Sequence, residues 1–456
     1  MIASNTAFLE NELMDVVRLF EGADALAFVH EMKYDGETFY NRFALGDKVW
    51  EFSDRAYAET ELVYKSLAKR YAKLALYRVL SGYYGKTLPW GALTGIRPTR
   101  LAYTELEHGR PFEPLFRDMG VSEDNIRLTA RVIEGQKGIY EKKEGNCDLF
   151  VGLPFCPSKC SYCSFITAPI AATRKYLPDY LSALERELEA AKPLIRNLRS
   201  VYVGGGTPFV LGEDELERVL RAIAQVRGSD CEYTVEAGRP DVFTERKLEL
   251  CKKYGVTRIC INAQSFSDRT LEAIGRKHTA AQVKEAFEMA RPFGFSVNCD
   301  LIAGLTGESL EEFCDSIDEA IALRPENITV HTLCLKKGAK LKEEVSSLGE
   351  GDLSEMIAYS REKLTAAGYG PYYLYRQKYM AGAHENVGWT LPGYASVYNV
   401  DIMEEVADNL AVGANAVSKK VFLSEGRIER CGSPKDIPTY LSKVGKVIAE
   451  KEELWR

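Results

Sequence analysis

Short apolar runs alternate with amphipathic segments through the middle of this 456-residue chain, from about residue 146 to 370. The apolar runs predict six strands, at residues 149–153, 200–203, 232–236, 258–262, 296–301 and 327–333. Apolar residues at helical spacing predict helices at 176–191, 214–227, 245–254, 281–293, 310–323 and 353–367. Strand–helix units in series favour parallel strands joined by right-handed crossovers. The predicted fold class is therefore α/β, a partial (β/α)6 barrel over residues 146–370 with its chemistry at the carboxyl ends of the strands.

The first 145 residues have a different pattern and predict a separate α+β domain. Alternating residues at 26–33, 38–45 and 48–52, with Asp35-Gly36 and Gly46-Asp47 between them, predict an antiparallel meander. A long helix is expected at 59–81, ended by Gly82. The loop from Trp90 to Arg100 is either a helix connector or an anion or partner contact made by its arginines.

Residues 371–456 lose the regular alternation and predict a small C-terminal extension that covers the substrate. A strand is expected at 372–377, followed by a stretch rich in glycine and aromatic residues from 382 to 399. A helix and a segment of small residues, 411–418, come next.

The composition of the chain argues against several classes of function. The chain has 46% hydrophobic and 27% charged residues, as a globular protein does, and no apolar run approaches the ~20 residues that cross a bilayer. Its start lacks a signal-peptide pattern, so the expected location is the cytoplasm, with no membrane partner. A net charge of −7 argues against a nucleic-acid partner, and five histidines make a histidine-built metal site improbable.

Three of the eleven cysteines are closely spaced: Cys156, Cys160 and Cys163, in the run Pro-Phe-Cys-Pro-Ser-Lys-Cys-Ser-Tyr-Cys-Ser-Phe. Three thiolates on one loop can hold three irons of a cubane [4Fe–4S] cluster, and the fourth iron is then open to another ligand. A structural zinc site is a weak alternative, because it would need a fourth protein ligand. Cys147 is the nearest further cysteine, and a structural role is favoured for it because a fourth ligand would close the open iron.

A second motif, Val-Tyr-Val-Gly-Gly-Gly-Thr-Pro, ends the second predicted strand at residues 201–208. Glycines allow backbone groups to approach a small polar ligand closely, although such a run is also common in tight turns. Because it follows an open-cluster motif by about forty residues, we interpret it as a ligand-binding turn.

Together these motifs resemble the radical S-adenosylmethionine (SAM) superfamily, and within it the oxygen-independent coproporphyrinogen III oxidase family, in particular its HemZ-type branch. Further similar pieces are Gln-Ser-Phe after the fourth strand, Asn-Cys-Asp-Leu-Ile-Ala-Gly at 298–304, Gly393-Tyr with Tyr398-Asn399, and Leu-Thr-Gly-Ile-Arg-Pro-Thr at 93–99. The resemblance covers roughly residues 148–420.

The resemblance implies a role for each matching residue. The cysteine triplet would ligate the cluster. Cofactor contacts would come from Gly205, Gly206, Thr207, Glu236, Gln264, Arg276 and Asp300, with Glu236 on the SAM ribose and Arg276 on the SAM carboxylate. Taken singly, each of the charged residues would rather be interpreted as structural, as a helix cap, an ion-pair partner or a surface charge. The cysteines in the same barrel favour the cofactor role instead.

Four positions, in three departures, differ from the oxidase proper. Phe150 and Gly152 replace a hydroxyl and an imidazole near the end of the first strand, and Asn415 stands where glycine is common. Phe165 replaces a further cysteine, as in the heme-chaperone-like members. His331 is either a substrate contact or a core histidine.

The implied function is radical SAM chemistry on a tetrapyrrole: a one-electron donor such as flavodoxin or ferredoxin reduces the cluster, SAM is cleaved, and coproporphyrinogen III is oxidatively decarboxylated to protoporphyrinogen IX. The alternatives are a heme-binding chaperone and a radical methyltransferase or other porphyrin-modifying enzyme. Candidate substrate-lining residues are Tyr372, Tyr373, Tyr375 and Arg376.

Overall fold

The computed structural model describes residues 2–95, 97–165, 167–228, 230–334, 350–377 and 380–456. Position 96, inside the 93–99 segment, lies outside the described residues. The chain forms two compact units: Met1–Ala130 with Arg376–Glu385, and Arg131–Tyr375 with Asn386–Arg456. The domain boundaries at 145 and 370 stay a prediction.

The first unit contains a small sheet and helices. Its strands are β1 (Ile2–Ser4), β2 (Phe28–Tyr34), β3 (Thr38–Leu45) and β4 (Lys48–Arg55), in the order β1-β2-β3-β4. Its helices are α1 (Ala7–Val17), α2 (Glu61–Tyr84), α3 (Pro98–Glu107), α4 (Glu113–Asp118) and α5 (Glu123–Gly135), which continues into the second unit. The meander of β2, β3 and β4 is antiparallel as predicted, and β1 adds a parallel pairing to β2.

The predicted end of the long helix at Gly82 is wrong. Helix α2 continues through Gly82 to Tyr84, and Gly85 follows it with φ +61°. The left-handed conformation that ends a helix is favourable for glycine, and Gly85 supplies it while its N–H donates to the Ser81 carbonyl. The loop joins α2 to α3, with Arg97 just outside the helix and Arg100 in its first turn, and an anion or partner contact by these arginines stays a prediction.

The second unit is built on one large mixed sheet. Its strands are β5 (Asn146–Leu153), β8 (Asn197–Gly205), β9 (Glu232–Gly238), β10 (Arg258–Ile261), β11 (Ser296–Ala303), β12 (Asn327–Thr332), β13 (Gly370–Tyr375), β14 (Asn386–Thr390), β15 (Asp408–Val412), β16 (Val417–Phe422) and β17 (Arg427–Gly432). A separate pair, β6 (Phe155–Cys156) and β7 (Ala168–Pro169), frames the cysteine loop. The large sheet has the order β13-β14-β12-β11-β10-β9-β8-β5-β15-β16-β17.

Helices connect the parallel strands. They are α6 (Ile170–Thr173), α7 (Leu177–Ala191), α8 (Glu213–Ala224), α9 (Glu245–Lys253), α10 (Asp268–Ala273), α11 (Ala280–Ala290), α12 (Leu310–Leu323), α13 (Glu350–Ala366), α14 (Val397–Glu404) and α15 (Ile437–Trp455). Side chains of Thr244, Thr279 and Ser309 accept from backbone N–H groups and start α9, α11 and α12. No described helix is long and apolar enough to span a membrane.

The α/β class and the six predicted parallel strands are confirmed: β5, β8, β9, β10, β11 and β12 pair in parallel, as in a partial, open barrel. The C-terminal region contributes more than a small extension, because its strands lengthen the sheet at both edges. β15 pairs in parallel with β5, and β14 pairs antiparallel with β12. The strand expected at 372–377 is observed as β13 at Gly370–Tyr375. The pattern missed β14 and β15, because both are uniformly buried and show no alternation.

Aromatic rings occupy the space beside the parallel strands. Phe150 of β5, Tyr202 of β8 and Tyr398 of α14 stack, with centroids of the latter two 4.4 Å apart. Helix α14 is held there by Glu232, whose carboxylate accepts from Ser396 Oγ (2.7 Å) and the N–H groups at the start of the helix. The stack forms a floor beneath the polar residues at the strand ends.

Candidate functional site: the cysteine loop and the strand ends

The cysteine loop leaves the carboxyl end of β5, as predicted. Cys160 is buried, Cys156 and Cys163 are partly exposed, and no cysteine is in a disulfide. The loop is held from outside by the Ser161 N–H, which donates to the Ile274 carbonyl at 3.1 Å. Burial raises the pKa of the Cys156 and Cys163 thiols. A metal that binds them must therefore displace protons from well-shielded groups.

Across the part of the chain that the structure describes, no three His, Cys, Asp or Glu side chains are placed to share one metal ion. A cubane cluster makes a different demand, because each thiolate binds a separate iron. Cys147 lies near the start of β5, about 20 Å from its far end at ~3.3 Å per residue, and is 1% exposed. Its position agrees with a structural role.

The glycine run packs directly against the cysteine loop. A Cβ on Gly206 would lie 2.4 Å from the Phe155 carbonyl oxygen and 2.5 Å from that of Leu153, so only glycine fits. The next residue, Thr207, donates its N–H to the Phe155 carbonyl at 2.7 Å and its hydroxyl to Cys156 Sγ at 3.7 Å. The sequence motif at the end of β8 is therefore a structural partner of the first cysteine.

Glu236, near the end of β9, is the carboxylate closest to this turn. Tyr202 OH donates to its Oε1 at 2.6 Å, and a Cβ on Gly204 would lie 2.7 Å from its Oε2. Burial raises the pKa of Glu236 to about 7, assisted by Asp300 and opposed by the hydrogen bonds from Tyr202 and Gly205. The carboxyl is thus poised to change charge near neutral pH.

Asp300, on β11, forms a second carboxylate of the strand ends. Asn298 Nδ2 donates to its Oδ1 at 2.7 Å, and His331 Nε2 lies 3.8 Å from its Oδ2. Burial would raise the pKa of Asp300, but His331, Asn298 and Thr329 together outweigh it and lower the pKa. Asp300 is therefore an ionised acceptor at neutral pH.

Gln264 joins β10 to β11 in an unusual backbone conformation. Its φ is +71°, which a residue with a Cβ adopts only when its surroundings enforce it. Its N–H donates to the Asp300 carbonyl (2.8 Å), and its own carbonyl accepts from Ile302 (3.0 Å). Two backbone bonds thus fix Gln264 beside Asp300.

Arg276 is partly buried next to the cysteine loop. Its Nη1 donates to the Asn262 carbonyl at 2.6 Å and its Nη2 to Tyr162 OH at 2.9 Å. The guanidinium stays protonated, because the neighbouring Tyr162 and Cys160 outweigh the effect of burial and raise its pKa. Nε has no hydrogen-bond partner. Its role toward a SAM carboxylate stays a prediction.

Three of the buried polar atoms without a hydrogen-bond partner in the described residues lie around the same loop: Ser161 Oγ, Asn262 Oδ1 and Arg276 Nε. A buried polar group without a partner costs about 1–3 kcal/mol, and a polar ligand bound at the loop would supply such partners. Free thiols, a backbone cradle closed to any Cβ, and unsatisfied donors and acceptors fit an iron–sulfur cluster with a small polar cofactor.

The candidate substrate-lining residues are fixed by their own hydrogen bonds. Arg376 belongs to the first unit, where its guanidinium donates to the carbonyls of Leu93, Ala383 and His384, and its role toward a substrate stays a prediction. Tyr372 is 1% exposed and its OH accepts from Asn399 Nδ2. Tyr373 OH bonds Thr329 at 3.1 Å, and Tyr375 OH bonds His331 Nδ1 at 3.2 Å.

Sequence reasoning missed Tyr202 and Arg239. Tyr202 was recognisable as the residue two positions before Gly204 on β8, and therefore on the same face as it. Arg239 was recognisable as a charge directly after β9, but its partner Ser158 is 81 positions away.

Comparison with known families matches residues 150–320 to the Radical SAM superfamily. The chain is 36% identical to a Bacillus subtilis (strain 168) protein named oxygen-independent coproporphyrinogen-III oxidase-like protein HemZ, over 82% of this chain and 78% of that protein. The chain belongs to the HemZ-like family of radical SAM proteins. The superfamily's cofactors are a [4Fe–4S] cluster and SAM, as the sequence predicted.

Two other relatives place the HemZ-like chain in a wider group. The Escherichia coli (strain K12) protein named heme chaperone HemW is 29% identical over 62% of this chain and 72% of that protein. The solved structure of E. coli coproporphyrinogen III oxidase (HemN), described as a radical SAM enzyme, has a TM-score of 0.55 and 20% identity over 71% of this chain and 74% of that one. This structural likeness shows a shared fold.

Proposed function

We propose that this HemZ-like protein is a radical SAM oxidoreductase that converts coproporphyrinogen III to protoporphyrinogen IX by oxidative decarboxylation without oxygen. The observation that carries the proposal is the direct packing of Thr207 and Gly206 on the cysteine loop, at the strand ends that hold Glu236 and Asp300. This arrangement brings together an iron–sulfur loop, a backbone cradle and two carboxylates.

The cluster would be held by Cys156, Cys160 and Cys163, and the cofactor by the glycine run with Glu236, Gln264, Arg276 and Asp300. When bound, these groups supply one-electron cleavage of the SAM carbon–sulfur bond and a carbon radical that accepts a hydrogen atom. Glu236 and Asp300 would accept hydrogen bonds from hydroxyl groups, and the Phe150–Tyr202–Tyr398 floor excludes water from below.

His331 is the residue best placed to meet the substrate. Its side chain is 26% exposed, whereas the strand residues beside it, Val330 and Thr332, are buried. Tyr375 OH and the Asp300 carboxylate hold its ring from two sides. In the proposed reaction a propionate loses carbon dioxide, a hydrogen atom and an electron to leave a vinyl group, and the His331–Tyr375 pair offers donors to its carboxylate.

The test is anaerobic turnover. Protein with a reconstituted cluster is mixed with reductant, SAM and coproporphyrinogen III, and both 5′-deoxyadenosine and tetrapyrrole mass are followed. We expect substrate-stimulated deoxyadenosine and the mass loss of decarboxylation, both reduced in His331→Gln. Deoxyadenosine that tetrapyrrole does not stimulate, with no mass loss, contradicts the proposal. A small one-electron carrier such as flavodoxin or ferredoxin is the proposed donor.

Heme binding without turnover is the second candidate, and Phe165 favours it. Its ring is 67% exposed next to the cysteine loop, where the oxidase proper would carry a cysteine. Curated relatives named heme chaperone HemW also match the chain. Titration of the protein with heme separates the two: saturable heme absorbance without deoxyadenosine supports the chaperone, and the reverse supports the oxidase.

A further inference from the structure

We propose that Arg239 is a positioning residue for the iron–sulfur loop: it fixes the segment between Cys156 and Cys160 and adds positive charge behind the cluster. Nothing in the sequence motifs gives this arginine a role. The proposal does not depend on which substrate the enzyme takes, but it rests on the cysteines being the cluster ligands.

Arg239 is 3% exposed, and each of its three guanidinium nitrogens donates a hydrogen bond. Nε and Nη2 donate to the two carboxylate oxygens of Asp241 at 2.9 and 2.7 Å, and Nη1 donates to Ser158 Oγ at 2.6 Å. Ser158 lies midway between the first two cysteines. The planar fork thus spans from a carboxylate on its own segment to the loop, a geometry that lysine cannot reproduce.

The segment that carries Arg239 is itself fixed against the rest of the site. Gly238 has φ +78°, and a Cβ there would lie 3.1 Å from Thr207 Cγ2. Thr207 in turn bonds Cys156 Sγ. Arg239 therefore reaches the loop from a backbone whose position is already set relative to the first cysteine and to Glu236.

A second arginine completes the frame on the other side of Cys160. The backbone of Asn262 donates its N–H to the Gly238 carbonyl at 2.9 Å and accepts from Arg276 Nη1 at 2.6 Å. Arg276 then reaches Tyr162 OH, between the second and third cysteines. Since Gly238 is the residue before Arg239, these hydrogen bonds and the peptide bond between the two residues connect Ser158 to Tyr162, and the loop is held at two points.

The charge of Arg239 and its contact with Ser158 affect the cluster and the loop in different ways, and three substitutions can test the two effects separately. Asp241 is 20% exposed and neutralises Arg239 only in part. A cation near a cluster stabilises its reduced form, because reduction adds negative charge. Arg239→Gln removes the cation and leaves Asp241 unpaired, Asp241→Asn leaves the cation uncompensated, and Ser158→Ala removes only the contact with the loop.

The experiment measures the accessibility of the loop cysteines in cluster-free protein, and the potential and iron retention of the cluster in loaded protein. In cluster-free protein, alkylation of Cys156, Cys160 and Cys163 by iodoacetamide is timed by peptide mass spectrometry, with Cys147 as the internal reference. In cluster-loaded protein without SAM, the midpoint potential is found by EPR-monitored redox titration, and iron loss to a chelator is timed. Circular dichroism and thermal unfolding establish that each variant is folded.

We expect Ser158→Ala and Arg239→Gln to be alkylated at the triplet roughly tenfold faster than the parent, since each loses a charge-assisted hydrogen bond. The potential should fall in Arg239→Gln, rise in Asp241→Asn and stay at the parent value in Ser158→Ala. Folded variants with parental alkylation rates, iron loss and potentials would overturn the proposal. Failure of the parent itself to load a cluster would instead contradict the ligand assignment.

Discussion

Replacing Glu236 with glutamine should stabilise the protein above neutral pH while weakening its hold on SAM. Burial raises the pKa of Glu236 from an ordinary 4.5 to about 7. In the unfolded chain the carboxyl ionises near its ordinary value, so between 4.5 and 7 the folded state binds more protons. The contribution of the Glu236 carboxyl to the free energy of unfolding is therefore fully present below pH 4.5 and is lost as the pH rises through 7.

The size of the effect on the free energy of unfolding follows from the same pKa shift. At about 1.4 kcal/mol per pH unit, a pKa raised from 4.5 to about 7 corresponds to at most about 3 kcal/mol, and less because Glu236 keeps some accessible surface. Glutamine can still accept from Tyr202, but its NH₂ group cannot accept from the Gly205 N–H, which costs about 1 kcal/mol. We expect a net gain of about 1–2 kcal/mol at pH 8 and a loss of up to about 1 kcal/mol at pH 5.

The assay is urea unfolding of cluster-free parent and Glu236→Gln from pH 5 to 8, followed by SAM titration calorimetry of the cluster-loaded proteins. Loss of the charged hydrogen bonds that Glu236 is proposed to make to the SAM ribose hydroxyls should weaken SAM binding by roughly tenfold to a hundredfold. Glu308→Gln is the matched control, because burial raises the pKa of Glu308 to about 8 and its partner is Ser265 Oγ (2.6 Å). It should show the pH-dependent gain with parental SAM affinity.

Two results would refute this reasoning. A stability difference that is constant from pH 5 to 8 would mean that Glu236 is not held in a raised-pKa environment. A stability gain at pH 8 with unchanged SAM affinity would mean that the buried carboxylate has no contact with the cofactor.

The remaining predictions concern the cluster, the glycine cradle and the packing of the last helix. Cys160→Ala should lose the cluster, by iron content and visible absorbance, whereas Cys147→Ser should keep it; an iron-replete Cys160→Ala would refute the ligand assignment. Gly206→Ala should destabilise the cluster-free protein by several kcal/mol in urea unfolding, because the added Cβ would lie 2.4 Å from a backbone oxygen. Gly445→Ala, which has open space around it in α15, should be neutral or slightly stabilising. Equal effects of the two substitutions would contradict the close packing of Gly206 on the cysteine loop. Lys451 pairs with the buried Glu187 carboxylate, so Lys451→Met should cost about 3–5 kcal/mol of unfolding free energy because it leaves that carboxylate without its cation. An unchanged urea midpoint would show that the Lys451–Glu187 pair is dispensable.

The local elements of this protein were readable from its sequence. The six parallel strands follow from short apolar runs between amphipathic helices, since burial on both faces requires such runs. The cysteine spacing and the glycine run were equally local, and the structure joins them through Thr207 and Cys156. Gly82 shows the limit of such signals: glycine can end a helix, but a competing glycine three residues later did so here.

Only part of the candidate site could be predicted from the sequence. Strand ends placed Glu236 and Asp300 on the same edge, because parallel strands carry their carboxyl ends together. The pKa of each carboxyl was not predictable, because it depends on burial and on partners from other strands, such as Tyr202 and His331.

The sequence by itself determined the chemistry of the cysteine loop and the parallel strand–helix series, because both arise from residues close together in the chain. Only the tertiary structure decided where the C-terminal strands pair: β15 beside β5 and β14 beside β12. It also decided that Arg239 meets Ser158, a contact between residues 81 positions apart. Hydrogen bonds and strand pairings at such separations depend on the folded path of the chain, and no local pattern encodes them.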